Sequence, residues 1–120
     1  MKIISWNLNG IRAVHKKGLF TDFIDKHKPD IACFQETKAQ EDQSEVDLPD
    51  YTEYWNSAVK KGYSGTAIFH NNKNGPLPIS IINDFPAKLI EKYKLADKYG
   101  DPNTEGRVIT AEYEDFYLVT

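Results

Sequence analysis

Two short apolar runs constrain this chain most, because each ends in a polar group with useful chemistry. Ile3-Ile4-Ser5-Trp6 runs into Asn7-Leu8-Asn9-Gly10, and Ile31-Ala32-Cys33-Phe34 runs into Gln35-Glu36-Thr37-Lys38. Runs of that length suit buried strands, and the helix-like stretch between them suits a crossover. Two neighbouring parallel strands would set an amide, Asn7, beside a carboxylate, Glu36, at their carboxyl ends. Open α/β sheets bind ligands at that edge. A carboxylate with a carboxamide beside it is hard-oxygen chemistry, which suits Mg²⁺ or Mn²⁺ and phosphate.

The 120 residues are enough for one small domain and not for two. With 40% apolar and 28% charged residues the chain reads as globular rather than disordered. Its net charge of -3 bears on function, because proteins that bind nucleic acid through their bulk field are usually basic. Binding to DNA would therefore need a local patch or a metal ion. The single cysteine, Cys33, excludes an internal disulfide framework and a cysteine-based zinc site. It sits in a strand-like run and reads as a small core residue. No apolar run approaches membrane-spanning length and no signal-peptide core is visible at the N-terminus. The expectation is a soluble cytoplasmic protein with no membrane partner.

Along the chain, residues 3–7 read as a strand, broken by Asn9-Gly10. Leu19, Phe20, Phe23, Ile24 and His27 form one helical stripe between about Lys17 and Lys28, stopped by Pro29. A second strand spans 31–36. The acidic stretch from Lys38 to Asp50 is a short helix or a surface loop. Strands follow at 51–59, 66–70 and 79–82, separated by Lys60-Lys61-Gly62-Tyr63-Ser64-Gly65 and by the turn Asn71 to Pro76. Leu89, Ile90, Tyr93, Ala96 and Tyr99 predict a second amphipathic helix over 87–99, ended by Gly100. Strands at 107–113 and 116–120 are joined by a reversal at Glu114-Asp115. This order predicts a mixed sheet in a layered α/β architecture. A strand pattern still running at Thr120 would leave a sheet edge and an apolar face uncovered, so the chain reads as the front half of something larger.

Ser5-Trp6-Asn7-Leu8-Asn9-Gly10-Ile11-Arg12-Ala13, followed by Pro29-Asp30-Ile31 and Phe34-Gln35-Glu36-Thr37-Lys38, resembles the exonuclease III family of abasic-site endonucleases. Gly62-Tyr63-Ser64-Gly65 and Glu105-Gly106-Arg107-Val108-Ile109 are similar to two further segments of that family, in the same order. Four ordered motifs are far more specific than any one of them. The resemblance implies a two-sheet sandwich with helices on both outer faces, of the endonuclease/exonuclease/phosphatase (DNase I-like) type. It implies Mg²⁺-dependent hydrolysis of DNA phosphodiesters at abasic sites and 3′ ends, with double-stranded DNA as partner and a monomer as the full-length form. Residues 1–120 would be the N-terminal half of one such domain. The catalytic Tyr, the Asp-x-Asn pair and the final Asp-His would lie in the remainder. Phe85 to Asn103 departs from the family pattern and reads as an inserted surface helix.

Glu36 is the sharpest candidate for a metal ligand, since a cation held by a carboxylate offsets the charge that repels attack on a phosphodiester. Asn7 would lie beside the metal and orient the catalytic carboxylate, although Asn at a strand exit is more often a turn former. Asn9 would be a poorer ligand than the Asp of some relatives. Lys38 would hold Glu36 in place or contact phosphate. Arg12, Lys60, Lys61, Tyr63 and Arg107 are candidates for the DNA backbone, because phosphate contacts need donors and positive charge. The bland alternatives are solvated turns for Lys60 and Lys61 and an ion pair with Glu105 for Arg107. His15, His27 and His70 match no catalytic histidine, and Trp6 and Trp55 read as packing residues. Two other readings compete: a phosphatase or phosphodiesterase of the same superfamily acting on another substrate, and a truncated module without catalysis.

Overall fold

A computed structural model describes residues 1–120 as three layers. Seven strands make two sheets: β1 (Ile3–Asn7), β2 (Ile31–Gln35), β3 (Tyr51–Asn56) and β4 (Thr66–Asn71) in one, and β5 (Ser80–Asn83), β6 (Ile109–Glu112) and β7 (Tyr117–Val119) in the other. The larger sheet has the order β1-β2-β4-β3, with β1 and β2 parallel and the other pairs antiparallel. The smaller sheet is an antiparallel β5-β6-β7 meander.

The apolar pattern explains the layering. Strands β2 and β4 are buried on both faces, so they read as near-continuous apolar runs rather than alternations. One face of the larger sheet is covered by α1 (Ile11–Lys16) and α2 (Leu19–His27), with Ile11, Phe20, Ile24, Phe34 and Phe69 packed together. The other face sends Ile31, Cys33 and Ile68 against Ile109, Ala111 and Tyr113 of the smaller sheet. Helices thus cover one outer face within these residues; the outer face of the smaller sheet carries Ile82, Tyr117 and Val119 in the open. No helix is long and apolar enough to cross a membrane.

Several expectations are corrected. A helix that the apolar pattern did not signal, α1, precedes the expected one; Gly18, at φ 75, separates it from α2, which lies within the stretch expected between Lys17 and Lys28. Leu19, on the apolar stripe, is nevertheless 53% exposed. Pro29 does follow the helix end, and Lys28 caps it in the left-handed region. Of the two readings of 38–50, the surface loop holds, with a single 3₁₀ turn at Glu41–Gln43. The third strand ends at Asn56, three residues short of Val59. The second predicted helix is real but short: α3 (Ala87–Tyr93) stops at Lys94, also left-handed, and does not reach Gly100. Strand β6 starts at Ile109, so Arg107 lies on the entering loop.

Gly106 (φ 59) tightens that loop against β3: an added Cβ would come within 2.4 Å of the Asn56 carbonyl and 2.7 Å of the Ala58 nitrogen. Cys33 is buried between the sheets, and burial pushes its thiol up to about 11 despite a hydrogen bond with Thr120.

Two measurements check this packing. Phe69→Ala, which empties a site bordered by Phe20, Phe34 and Trp55, is expected to cost about 3–5 kcal/mol in urea denaturation. Cys33 is expected to stay unreactive to a disulfide reagent at neutral pH in the folded protein and to react once urea unfolds it, because only the thiolate attacks.

Candidate active site

The parallel pairing of β1 and β2 sets Asn7 opposite Gln35, so the next residues of both strands leave the sheet together. Their loops are stitched by backbone hydrogen bonds: Leu8 to the Gln35 carbonyl at 2.9 Å, Gly10 to Glu36 at 2.8 Å, and Ile11 to Thr37 at 2.9 Å. The entry to β4 closes the third side, with Thr37 donating to Gly65 at 3.1 Å and Lys38 to Ser64 at 2.8 Å. Asn9, Glu36, Lys38 and Ser64 all adopt positive φ, between 47 and 52. Non-glycine residues rarely do so, and clusters of them mark places where the surroundings over-determine the backbone.

The consequence for Glu36 is a carboxylate held at a fixed point yet open to solvent. Asn7 Nδ2 donates to Glu36 Oε1 at 3.1 Å, and Lys38 Nζ lies 3.3 Å from Oε2. Asn7 itself is fixed by the Asn9 backbone N–H, which donates to its Oδ1 at 3.0 Å. Lys38 also donates to Asn9 Oδ1. These contacts hold the Glu36 carboxyl below the usual carboxylate range, with the Asn7 hydrogen bond contributing most and Lys38 next; the charge of Arg107 adds to them. The group is therefore an anion at neutral pH.

The structure gives the other sequence candidates different standings. Arg12 reaches the Lys38 carbonyl at 3.4 Å, and both line a shallow basic groove of about 440 Å³ with Lys16, Gly10 and Gly62. Arg107 donates to Glu105 at 2.7 Å and to the Tyr63 hydroxyl at 2.9 Å. Its guanidinium and the Lys60 ammonium lie 5.5 and 5.4 Å from the Tyr63 ring centroid, so these three residues form one unit. Lys61 joins neither group; it lines a separate shallow recess beside Gln40 and Ser57. Asn7 turns its nitrogen toward Glu36 and its oxygen toward the Asn9 backbone N–H. Asn9 spends its oxygen on Lys38.

Two residues escaped the sequence reading. Thr37 is fully buried with its hydroxyl unpartnered, and it packs against Gly65, where a Cβ would sit 2.4 Å from its Oγ1. Nothing in its residue type signals this. Lys16 had a signal, the i, i+4 spacing to Arg12, which becomes visible only once α1 is recognised as a helix.

No three acidic, histidine or cysteine side chains converge here as a complete metal cage. Glu36 alone supplies an ionised, accessible carboxylate, which fits one protein ligand of a hydrated hard cation rather than an all-protein site.

Comparison with known proteins gives this geometry its context. The chain is 42% identical to the exodeoxyribonuclease of Bacillus subtilis over its entire length, which is 41% of that protein. It is 43% identical to the DNA repair nuclease APEX1 of Danio rerio, again over the entire chain, spanning 35% of that relative. Its fold is similar to a solved structure of the 3′ phosphatase NExo from Neisseria bound to a product DNA hairpin, with a TM-score of 0.69 at 24% identity, covering 99% of this chain and 40% of that one. The chain thus spans about two fifths of the relatives it matches. A model of the endonuclease/exonuclease/phosphatase family matches residues 4–108, and the chain belongs to that family.

Proposed function

We propose that this chain forms the Glu36-bearing portion of a divalent-metal-dependent DNA phosphodiesterase of the exodeoxyribonuclease III and abasic-site endonuclease type. The substrate would be double-stranded DNA, cut beside abasic sites and trimmed at 3′ ends. One observation carries the reading: an ionised carboxylate, Glu36, is clamped between Asn7 and Lys38 at the carboxyl edge of the sheet, with Arg107 close enough to depress its pKa.

A phosphodiester repels an attacking hydroxide and parts slowly from its leaving oxygen. Glu36 would hold the cation, Mg²⁺ or Mn²⁺, which when bound polarises a phosphoryl oxygen and offsets the charge that builds as the bond breaks. Nucleases of this family generally depend on a divalent metal. Asn7 positions Glu36 and does not itself ligate; its amide keeps the carboxylate from rotating away. Lys38 and Arg12, which line one groove with Lys16, place cationic donors where a strand's phosphates would run. Arg107, oriented by Glu105 and set over the Tyr63 ring, offers a second donor near Glu36. Lys60 stays with that unit, and Lys61 is left as a solvated turn residue.

Gly62-Tyr63-Ser64-Gly65 and the Glu105–Ile109 segment favour the DNA-repair branch over other substrates of the superfamily. Both segments have structural reasons to be kept: the first carries Tyr63 and the glycine that admits Thr37, and the second carries Arg107 and the tight Gly106 turn.

Glu36→Gln in the full-length protein is expected to lower turnover on an abasic-site duplex by at least about 100-fold, with the unfolding midpoint nearly unchanged. Gel-based incision across a Mg²⁺ titration checks this, and an unaltered rate at saturating Mg²⁺ would remove the ligand role. Asn7→Ala is expected to cost about 10–100-fold, the usual scale for a residue that orients a ligand. Parallel hydrolysis of abasic DNA and of phosphoinositides separates the repair reading from its superfamily alternative.

A further inference from the structure

The segment between β5 and β6 stands apart from the rest of the molecule. Residues 85–100 are exposed throughout except for the half-buried Ile90. Yet the segment is built, not loose. Asn103 clasps its base, accepting from the Phe85 N–H at 3.0 Å and donating to the Phe85 carbonyl at 2.8 Å. Asp101 caps the 3₁₀ turn Pro102–Thr104 through the Asn103 N–H, and Val59 donates to the Thr104 carbonyl at 2.9 Å. Its tip is a tight reversal in which Asp97 and Gly100 exchange backbone hydrogen bonds at 3.0 and 3.1 Å, with the Tyr99 N–H donating to Asp97 Oδ1 at 2.8 Å.

This platform displays an unusual surface for an acidic chain. Between Ala87 and Tyr99 four lysines face Glu91 and Asp97, whereas the whole chain carries a net charge of -3. The pair Lys-Tyr occurs twice, at Lys92-Tyr93 and Lys98-Tyr99, and each ammonium lies over its neighbour's ring at 5.0 and 4.9 Å. Tyr93 is 59% exposed and Tyr99 81% exposed. Aromatic faces flanked by cations are what a single nucleic-acid strand engages: bases stack on the rings and the lysines meet the phosphates. A duplex hides its base faces and would use the charge alone.

We infer that the β5–β6 platform is an accessory binding surface for unpaired DNA strand, with Tyr93 and Tyr99 as stacking groups and Lys92 and Lys98 as phosphate contacts. The inference rests on the proposed action on DNA and adds a strand-specific contact outside the Glu36 cluster. The platform's base runs directly into Glu105 and Arg107, so a strand held there leads toward the candidate site. The clasped base and closed tip remove ordering cost in advance, which favours a surface meant to bind.

The test uses the full-length protein without divalent metal, so that nothing is cut. Fluorescence anisotropy compares a blunt duplex with the same duplex bearing an oligothymidylate tail. The unsubstituted protein is expected to bind the tailed duplex more tightly. Combined Tyr93→Ala and Tyr99→Ala substitution is expected to weaken that binding roughly tenfold or more and leave the blunt duplex unaffected. Tyr→Phe at both positions, which keeps the rings, is expected to restore it. Lys92→Gln with Lys98→Gln should flatten the slope of log affinity against log salt by about 1.4 on the tailed DNA. Equal affinity for tailed and blunt DNA in the unsubstituted protein, or unchanged binding after the tyrosines are removed, overturns the inference and leaves the surface to a protein partner. Failure of the unsubstituted protein to bind either DNA overturns the underlying reading of function as well.

Discussion

The parallel ladder between β1 and β2 is the constraint on which the site depends. Side-chain period in a strand is two, so a one-residue slip in that pairing would turn every side chain to the other face. Trp6 would leave the helix-covered core for the inter-sheet face, and Asn7 would no longer exit beside Glu36. The register is held from both sides. Ala32 and Phe34 are locked against the helices, and Ile31 and Cys33 against the smaller sheet. Two cores on opposite faces of one sheet therefore fix the register that positions one carboxylate.

That arrangement also explains why the loop after β2 holds three consecutive residues with unlike fates. Glu36 faces solvent, Thr37 is buried, and Lys38 folds back over Glu36. Left-handed conformations at Glu36 and Lys38 produce the alternation, and the backbone bonds to residues 8–11 and 64–65 hold it. Local electrostatics then follow from geometry. An accessible anion pinned by an amide and an ammonium keeps its charge, because those hydrogen bonds outweigh the partial desolvation that opposes it.

Much of this was legible in the residues. The apolar runs of β2 and β4 are continuous because both faces are covered, and that pattern marks buried strands directly. The neighbouring placement of Asn7 and Glu36 followed from the parallel order, and the Glu105–Arg107 pair from their spacing. What failed was governed by backbone conformation. The short helix α1, set off from α2 by Gly18, went unread, and Lys94 ended α3 early by entering the left-handed region, which residue type alone discourages. The apolar spacing over 87–99 marked a helix with a shared face, but periodicity does not record whether anything covers that face. The division of labour within the site was equally hidden: that Asn7 offers nitrogen rather than oxygen depends on the Asn9 N–H holding its other end.

The fit of Thr37 against Gly65 has a consequence for how such a chain can drift. The hydroxyl of one occupies the volume that any side chain on the other would need, and Gly65 at φ 87 disfavours a replacement on conformational grounds as well. Position 65 is not free to vary alone. Among descendants of this sequence a bulkier residue at 65 should arise only where 37 has already become smaller, so the pair would be inherited as a single character.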